Sequence, residues 1–142
     1  MKRSILYTLF VMFSLACIAC APQEEKKVQT DNQISGDNIE VYYFHFSRRC
    51  ATCNAVEAVT QEALKEYFAE AVEAGTIEFK SLNLDEESNE ALAEQLKVSG
   101  QTLLFVSGDK SVNLTTEAFM NAKGNPDKLK EQVKATVEQL LK

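Results

Sequence analysis

Two cysteines separated by two residues carry the clearest chemistry in this chain of 142 residues. Cys50 and Cys53 follow an apolar run at residues 39–46 and begin residues 50–74, whose apolar side chains recur at helical spacing. This context places Cys50 at a helix N-terminus, where partial positive charge favours thiolate over thiol. Cys53 lies one turn further on, so it can close a disulfide with Cys50. The pair is therefore predicted to carry out thiol–disulfide exchange, with Cys50 attacking and Cys53 resolving the mixed disulfide.

Two other uses of the cysteine pair stay open from the sequence. One is an inert structural disulfide, and the other is a metal or metalloid site. In the metal hypothesis His45, the only histidine, is the third ligand. The alternative for His45 is a packed, hydrogen-bonded core residue. Arg48 and Arg49 either lower the pKa of the Cys50 thiol, bind an acidic partner, or are solvated loop charges. No organic cofactor is implied.

The first 19 residues have the features of an export signal. Lys2 and Arg3 precede an apolar run at residues 5–18, which is too short to span a bilayer comfortably. The run ends at two cysteines and resembles a bacterial lipoprotein signal, with Cys20 as the expected lipid-modified residue and Cys17 as the alternative. Residues 20–38 then form a polar tether with almost nothing to bury. These features predict a domain that is lipid-anchored in a bacterial cell envelope and faces the periplasm or the exterior.

Residues 39–142 have the length of one small domain with a single core. The whole chain has 15 Lys and Arg against 21 Asp and Glu, a net charge of −6. Loss of residues 1–19 removes Lys2 and Arg3 but no acid, leaving −8. Such an acidic surface argues against nucleic-acid binding and against electrostatic docking to anionic lipid.

The apolar pattern predicts the element order β-α-β-α-β-β-α. The strands are expected at residues 39–46, 77–84, 102–106 and 111–115, and the helices at 50–74, 85–97 and from Pro126. Asp85 is the expected N-cap of the second helix. The acidic residues 85–87 are then either the first turn of that helix or a docking patch. The aromatic residues of the first strand are expected in the core: Tyr42, Tyr43, Phe44 and Phe46. The pattern favours an α/β fold with a mixed four-stranded sheet.

Three segments resemble the thioredoxin-like fold family over about residues 38–142. They are the first strand with its Cys50-Ala51-Thr52-Cys53 motif, residues 83–87 (NLDEE), and residues 98–105 (VSGQTLLF). The resemblance implies a three-layer fold and a thiol–disulfide oxidoreductase of the disulfide reductase or isomerase type. It also implies protein thiols or disulfides as substrates and a membrane thiol–disulfide interchange carrier as electron donor. The chain as a whole resembles membrane-tethered thioredoxin-like lipoproteins.

Two positions depart from the family pattern. Gln101 stands where thioredoxins carry a cis-proline facing the active site, and the peptide bond before it is expected to be trans. Thioredoxins also bury an acid in the first strand behind the resolving cysteine, whereas residues 39–46 contain only Glu40, near the strand start. Water or Glu57 is then the expected proton acceptor. We therefore expect Gln101 to modulate the site together with Arg48 and Arg49.

Overall fold

The computed structural model describes residues 38–142. Its strands are β1 (Ile39–His45), β2 (Ile77–Asn83), β3 (Thr102–Ser107) and β4 (Lys110–Asn113). Its helices are α1 (Ala51–Tyr67), α2 (Ala69–Glu73), α3 (Glu90–Gln95), α4 (Thr115–Asn121) and α5 (Pro126–Leu140), with a 3₁₀ turn at Glu87–Asn89. Within these residues no helix is both long and apolar enough to cross a membrane.

The four strands form one mixed sheet in the order β2-β1-β3-β4. β1 and β2 are parallel, joined by α1 and α2, while β3 is antiparallel to β1 on its other side. β4 returns antiparallel beside β3 through a two-residue loop, in which Gly108 has a φ of 54°. Positive φ is readily adopted by glycine because it lacks a Cβ. The central position of β1 explains its nearly continuous apolar sequence, since helices cover both faces.

Both faces of the sheet are packed against helices. Val41 and Tyr43 of β1 belong to a large core shared with α1, α4 and α5. Tyr42 and Phe44 point to the opposite face and pack with Ala93 of α3 in a smaller core. The alternation follows from the two-residue repeat of a strand. The result is a three-layer α/β domain with a mixed four-stranded sheet, as the sequence predicts.

Phe46 is the exception among the aromatic residues expected in the core. It follows the last residue of β1 and is 38% exposed. Because the strand ends at His45, the sheet no longer holds the Phe46 side chain between helices. The core prediction is therefore correct for Tyr42, Tyr43 and Phe44 and wrong for Phe46.

The long helix predicted at residues 50–74 is broken at Phe68. The backbone there (φ −135°, ψ 33°) leaves the helical region and separates α1 from α2. Phe68 packs against the large core, as do Ala71 and Val72 of α2. Tertiary packing therefore overrides the helical pattern at this point.

The helix predicted to start at Asp85 is also different in the structure. The Asp85 carboxylate accepts a hydrogen bond from the Ser47 N–H (2.8 Å) and caps no helix. The chain instead turns through Glu87–Asn89 before α3 begins at Glu90. The prediction of an N-cap at Asp85 is wrong because this carboxylate is bound to the loop that follows β1.

The starts of α5 and α4 are both specified by nearby side chains. The Asn125 side chain accepts a hydrogen bond from the Lys128 N–H (3.3 Å), and Pro126 is the first helical residue. Proline is favourable there because its missing N–H has no partner inside the helix. Helix α4 differs from the sequence prediction, which extends the preceding strand to Thr115. The Asn113 side chain accepts from both the N–H and the hydroxyl of Thr115 (3.0 and 2.6 Å), which turns the chain into α4.

We predict that Gly75→Ala destabilises the domain by about 1 kcal/mol. Gly75 follows α2 with a φ of 74°, and its N–H bonds the carbonyl of Val72 while the next N–H, of Thr76, bonds that of Ala71. This is a Schellman motif, in which an alanine would be strained. Gly124→Ala is the matched control, because an added Cβ meets nothing within 4 Å at either glycine and Gly124 has no positive φ. Urea unfolding that shows equal losses for both variants would contradict the assignment of strain to Gly75.

Candidate active site

Cys50 and Cys53 are joined by a disulfide at the N-terminus of α1, with their Cα atoms 5.1 Å apart. Cys50 is the N-cap, and its Sγ accepts a hydrogen bond from the Cys53 N–H (3.2 Å). The Cys53 Sγ in turn accepts from the Cys50 N–H (3.2 Å). Both sulfurs therefore accept from backbone N–H groups at the start of α1, which have no partner inside the helix. These N–H groups carry partial positive charge and so favour a negatively charged sulfur.

The two sulfurs differ in their access to solvent. Cys50 is exposed, whereas Cys53 is only 2% exposed and belongs to the buried face of α1. An incoming thiolate or a partner disulfide can reach Cys50 far more easily than Cys53. The assignment of Cys50 as the attacking thiol stays a prediction, and the exposure agrees with it.

Gln101 lies against the buried sulfur. Its Nε2 donates to the Cys53 Sγ at 3.5 Å, from the loop that leads into β3. Residues 38–142 contain no cis peptide bond, so the bond before Gln101 is trans as expected. The side chain of Gln101 thus contacts the disulfide.

Arg49 makes three contacts around Cys53. Its Nη2 donates to the carbonyl oxygen of Cys53 (3.4 Å), and it forms an ion pair with Glu57. Its guanidinium carbon also lies 5.5 Å from the centre of the Tyr43 ring, a cation–π arrangement. The side chains of Arg49 and Glu57 are 23% and 20% exposed, so Arg49 is not a solvated loop charge. We refer to Arg49, Glu57 and Tyr43 as the arginine cluster.

Tyr43 was missed as a site residue. It is fully buried in β1, and its hydroxyl donates to the carbonyl oxygen of Cys53 (3.0 Å). Burial raises the pKa of Tyr43, while the Arg49 cation opposes that rise, so the phenol stays protonated and donating. The only signal in the sequence is a tyrosine where a phenylalanine would fill the core equally well.

Arg48 and His45 lie outside these contacts. Arg48 is exposed and makes no ion pair or hydrogen bond with residues 38–142. The His45 Nδ1 lies 3.0 Å from the carbonyl oxygen of Phe46, and its ring is tilted against that of Tyr43 at 5.8 Å. Among the residues described, no three His, Cys, Asp or Glu side chains are grouped closely enough to hold a metal ion. The structure therefore does not bring His45 to the two cysteines as a third ligand.

No carboxylate of residues 38–142 is hydrogen-bonded to the buried Cys53 side chain. Glu57, one of the two expected proton acceptors, is paired with Arg49 instead. Glu40 accepts from the Tyr42 hydroxyl (2.6 Å) and from the Lys80 ammonium (2.8 Å) near the opposite end of β1. Among the described residues, the groups that approach Cys53 are thus the amide of Gln101, the hydroxyl of Tyr43 and the guanidinium of Arg49.

An open groove of about 450 Å³ lies beside Phe46 and extends to Ser99, two residues before Gln101. Its apolar lining includes Phe46, Leu84 and Val98. Its carboxylates come from the segment after β2 and from α3: Asp85, Glu86, Glu87, Glu90 and Glu94. None of these acids is in an ion pair with a residue of the described domain. The acidic run at residues 85–87 therefore lines this groove, and its last residue begins the 3₁₀ turn.

Asp85 gives a prediction about acid stability. The hydrogen bond from the Ser47 N–H holds the pKa of its carboxyl below its usual value of 3.8. Because the folded-state pKa is depressed, the stabilisation is present above pH 3.8 and is lost as the pH falls through the lower folded-state pKa. Asp85→Asn is expected to flatten the pH dependence of the unfolding free energy below pH 3.8. Asp127→Asn, at the exposed start of α5, is the control, and an equal flattening there would contradict a special role for Asp85.

Comparison with known proteins gives thioredoxins among the similar solved structures. Thioredoxin O2 of Arabidopsis thaliana in its oxidised state is 22% identical, with a TM-score of 0.46 over 75% of this chain and 78% of that one. A thioredoxin from Wuchereria bancrofti is 19% identical, with a TM-score of 0.39 over 72% and 84%. The germline-specific thioredoxin Deadhead of Drosophila melanogaster is 21% identical, with a TM-score of 0.39 over 54% and 65%. No protein-family model and no curated protein matches the chain. Since the identities and scores are low, the function has to be argued from the cysteine pair itself.

Proposed function

We propose that this protein is a thiol–disulfide oxidoreductase that exchanges electrons with protein disulfides through Cys50 and Cys53. The observation that carries the proposal is the asymmetric disulfide at the start of α1. One sulfur is exposed at the N-cap, and the other is buried and contacted by Gln101. An inert structural disulfide has no need of an exposed sulfur at a helix N-terminus, where thiolate is favoured.

The reductive half-cycle begins with both cysteines reduced. The Cys50 thiolate attacks one sulfur of a partner disulfide, which forms a mixed disulfide and releases the other partner sulfur as a thiolate. Cys53, having lost its proton to solvent or to the released thiolate, attacks the Cys50 sulfur. The bond between Cys50 and the partner breaks, so the partner leaves as a dithiol and the domain keeps the disulfide. Run in reverse, the same steps oxidise a partner dithiol.

The test is the equilibrium between the full chain and a series of glutathione or dithiothreitol redox buffers. The chain would be purified in a mild detergent because of its apolar N-terminal run, and its metal content would be assayed on the same sample. A reversible two-electron couple is expected. A midpoint below roughly −200 mV identifies a reductase, and one well above it an oxidase or isomerase. Failure to form the disulfide, with stoichiometric metal bound, would overturn the proposal.

We further propose that the protein works in a bacterial cell envelope, anchored by lipid at Cys20. The support is the export-type segment at residues 1–19 and the polar tether after it. The proposed partners are protein thiols and disulfides and a membrane electron donor of the thiol–disulfide interchange type. Labelling of growing cells with a tagged fatty acid tests the anchor, because Cys20→Ala should abolish the label and Cys17→Ala should not. The reverse result would move the lipid to Cys17.

A further inference from the structure

We propose that Arg49 is a positioning residue for the resolving step and supplies the positive charge that the buried Cys53 needs when the disulfide is open. The inference rests on the proposed function. It concerns a different step from the attack by Cys50, and it assigns roles to Glu57 and Tyr43 as well. No acid of β1 contacts Cys53, and the arginine cluster contacts the Cys53 carbonyl oxygen instead.

The first support is geometric. The carbonyl oxygen of Cys53 receives two hydrogen bonds that are not part of α1, from the Tyr43 hydroxyl (3.0 Å) and from the Arg49 Nη2 (3.4 Å). Both donors belong to the segment before the helix, Tyr43 within β1 and Arg49 immediately before Cys50. The peptide group of Cys53 is thus fixed from outside its own helix, and a full positive charge lies against it.

The second support is an unused donor. The Arg49 Nε is buried and has no hydrogen-bond partner among residues 38–142 while the disulfide is closed. A buried N–H of a cation without an acceptor is unfavourable. Opening the disulfide makes a thiolate acceptor of Cys53, whose carbonyl oxygen already accepts from Arg49. The closed disulfide therefore leaves unused one donor of the arginine that contacts Cys53.

The third support is electrostatic. The Tyr43 ring packs against the Arg49 guanidinium, and Glu57 pairs with the guanidinium and opposes its charge. Among the groups of residues 38–142 that contact Cys53, the guanidinium is the only one with a full charge, since Gln101 and Tyr43 are neutral donors. An opposite charge close to a buried thiol lowers its pKa and raises the thiolate fraction. Because the thiolate is the nucleophile, release of the partner from Cys50 should depend on Arg49.

The test measures how fast a defined mixed disulfide is resolved. Glutathione is attached to Cys50 of the full chain, and its release by Cys53 is followed by rapid mixing and mass spectrometry over a range of pH. Arg49→Gln is expected to slow release at neutral pH by about tenfold or more and to move the pH profile upward by about one unit. Arg48→Gln is the matched control, because it removes the same charge from the exposed neighbour, and it should change release less than about twofold.

Glu57→Gln separates an electrostatic role from a merely structural one. It removes the carboxylate that opposes the Arg49 charge, so release should become faster and the pH profile should move downward. If the cluster only holds the fold together, Arg49→Gln and Glu57→Gln should both slow release. Arg49→Lys keeps the charge and should keep most of the rate. If Arg49→Gln does not fold, the response of release to Glu57→Gln decides between the two roles.

Two outcomes would overturn the inference. One is equal behaviour of the Arg49→Gln and Arg48→Gln variants, and the other is slowing by Glu57→Gln. Failure of the proposed function looks different, because the unaltered chain would then not release glutathione or show a reversible redox couple at all. If the unaltered chain cycles normally and Arg49→Gln is without effect, only the role of Arg49 is lost.

Discussion

Cys53→Ser should leave the protein covalently attached to its partners through Cys50. The exposed sulfur can still attack a partner disulfide, but the buried sulfur that would displace the partner is gone. Turnover should fall by about a thousandfold or more, since the resolving nucleophile is removed. Non-reducing electrophoresis of cells that make the variant should show adducts that disappear on addition of dithiothreitol.

Cys50→Ser is the control for this experiment. The remaining Cys53 is 2% exposed, so it should form almost no adducts, although turnover is lost to the same degree. Equal trapping by the two variants would show that burial of Cys53 does not decide which sulfur meets the partner. Absence of trapping in both would contradict exchange with protein disulfides.

Phe105→Ala should destabilise the domain by about 3–5 kcal/mol, which is a large share of the stability of a small domain. Phe105 is fully buried in β3, where it pairs with Val41 on one side and with Val112 on the other. Its side chain belongs to the large core under α1 and α5. Removing the ring leaves a cavity at the centre of the sheet, and close-packed surroundings relax only in part. Urea unfolding of the oxidised protein measures the loss.

Phe46→Ala removes the same atoms from a position that is 38% exposed. The expected cost is about 1 kcal/mol or less, because part of the ring is already in water and the site lies beyond the end of β1. Comparison of the two variants isolates the effect of burial from that of residue type. Similar losses would mean that Phe46 supports the fold more than its exposure indicates.

The sequence predicts the sheet and its layers because strand and helix periodicities differ. The apolar run of β1 identifies a strand covered on both faces, and the stripe of α5 identifies a helix with one buried face. The cysteine pair is also recognised from the sequence, since its spacing and its position before a helix are local features. The strand, the helix and the cysteine pair are therefore all predicted from residues that are close together in the chain.

The features that escaped prediction depend on contacts between distant segments. Asp85 is a residue type favoured at N-caps, but its carboxylate accepts a hydrogen bond from the N–H of Ser47, 38 residues away. Arg49 looks like a loop charge until the fold places it against Glu57, Tyr43 and the Cys53 carbonyl. Helix α4 is short, and its start depends on the side chain of Asn113 rather than on a long apolar stripe. Sequence patterns do not specify such tertiary contacts.

The direction of β1 gives the domain two functionally different ends. The chain enters at Ile39 and reaches Cys50 only after crossing the sheet along a strand of seven residues, a distance of about 20 Å. The start of the described domain and the disulfide therefore lie at opposite ends of β1. A partner that binds around Cys50 meets the end of the sheet opposite to the one at which the chain enters β1.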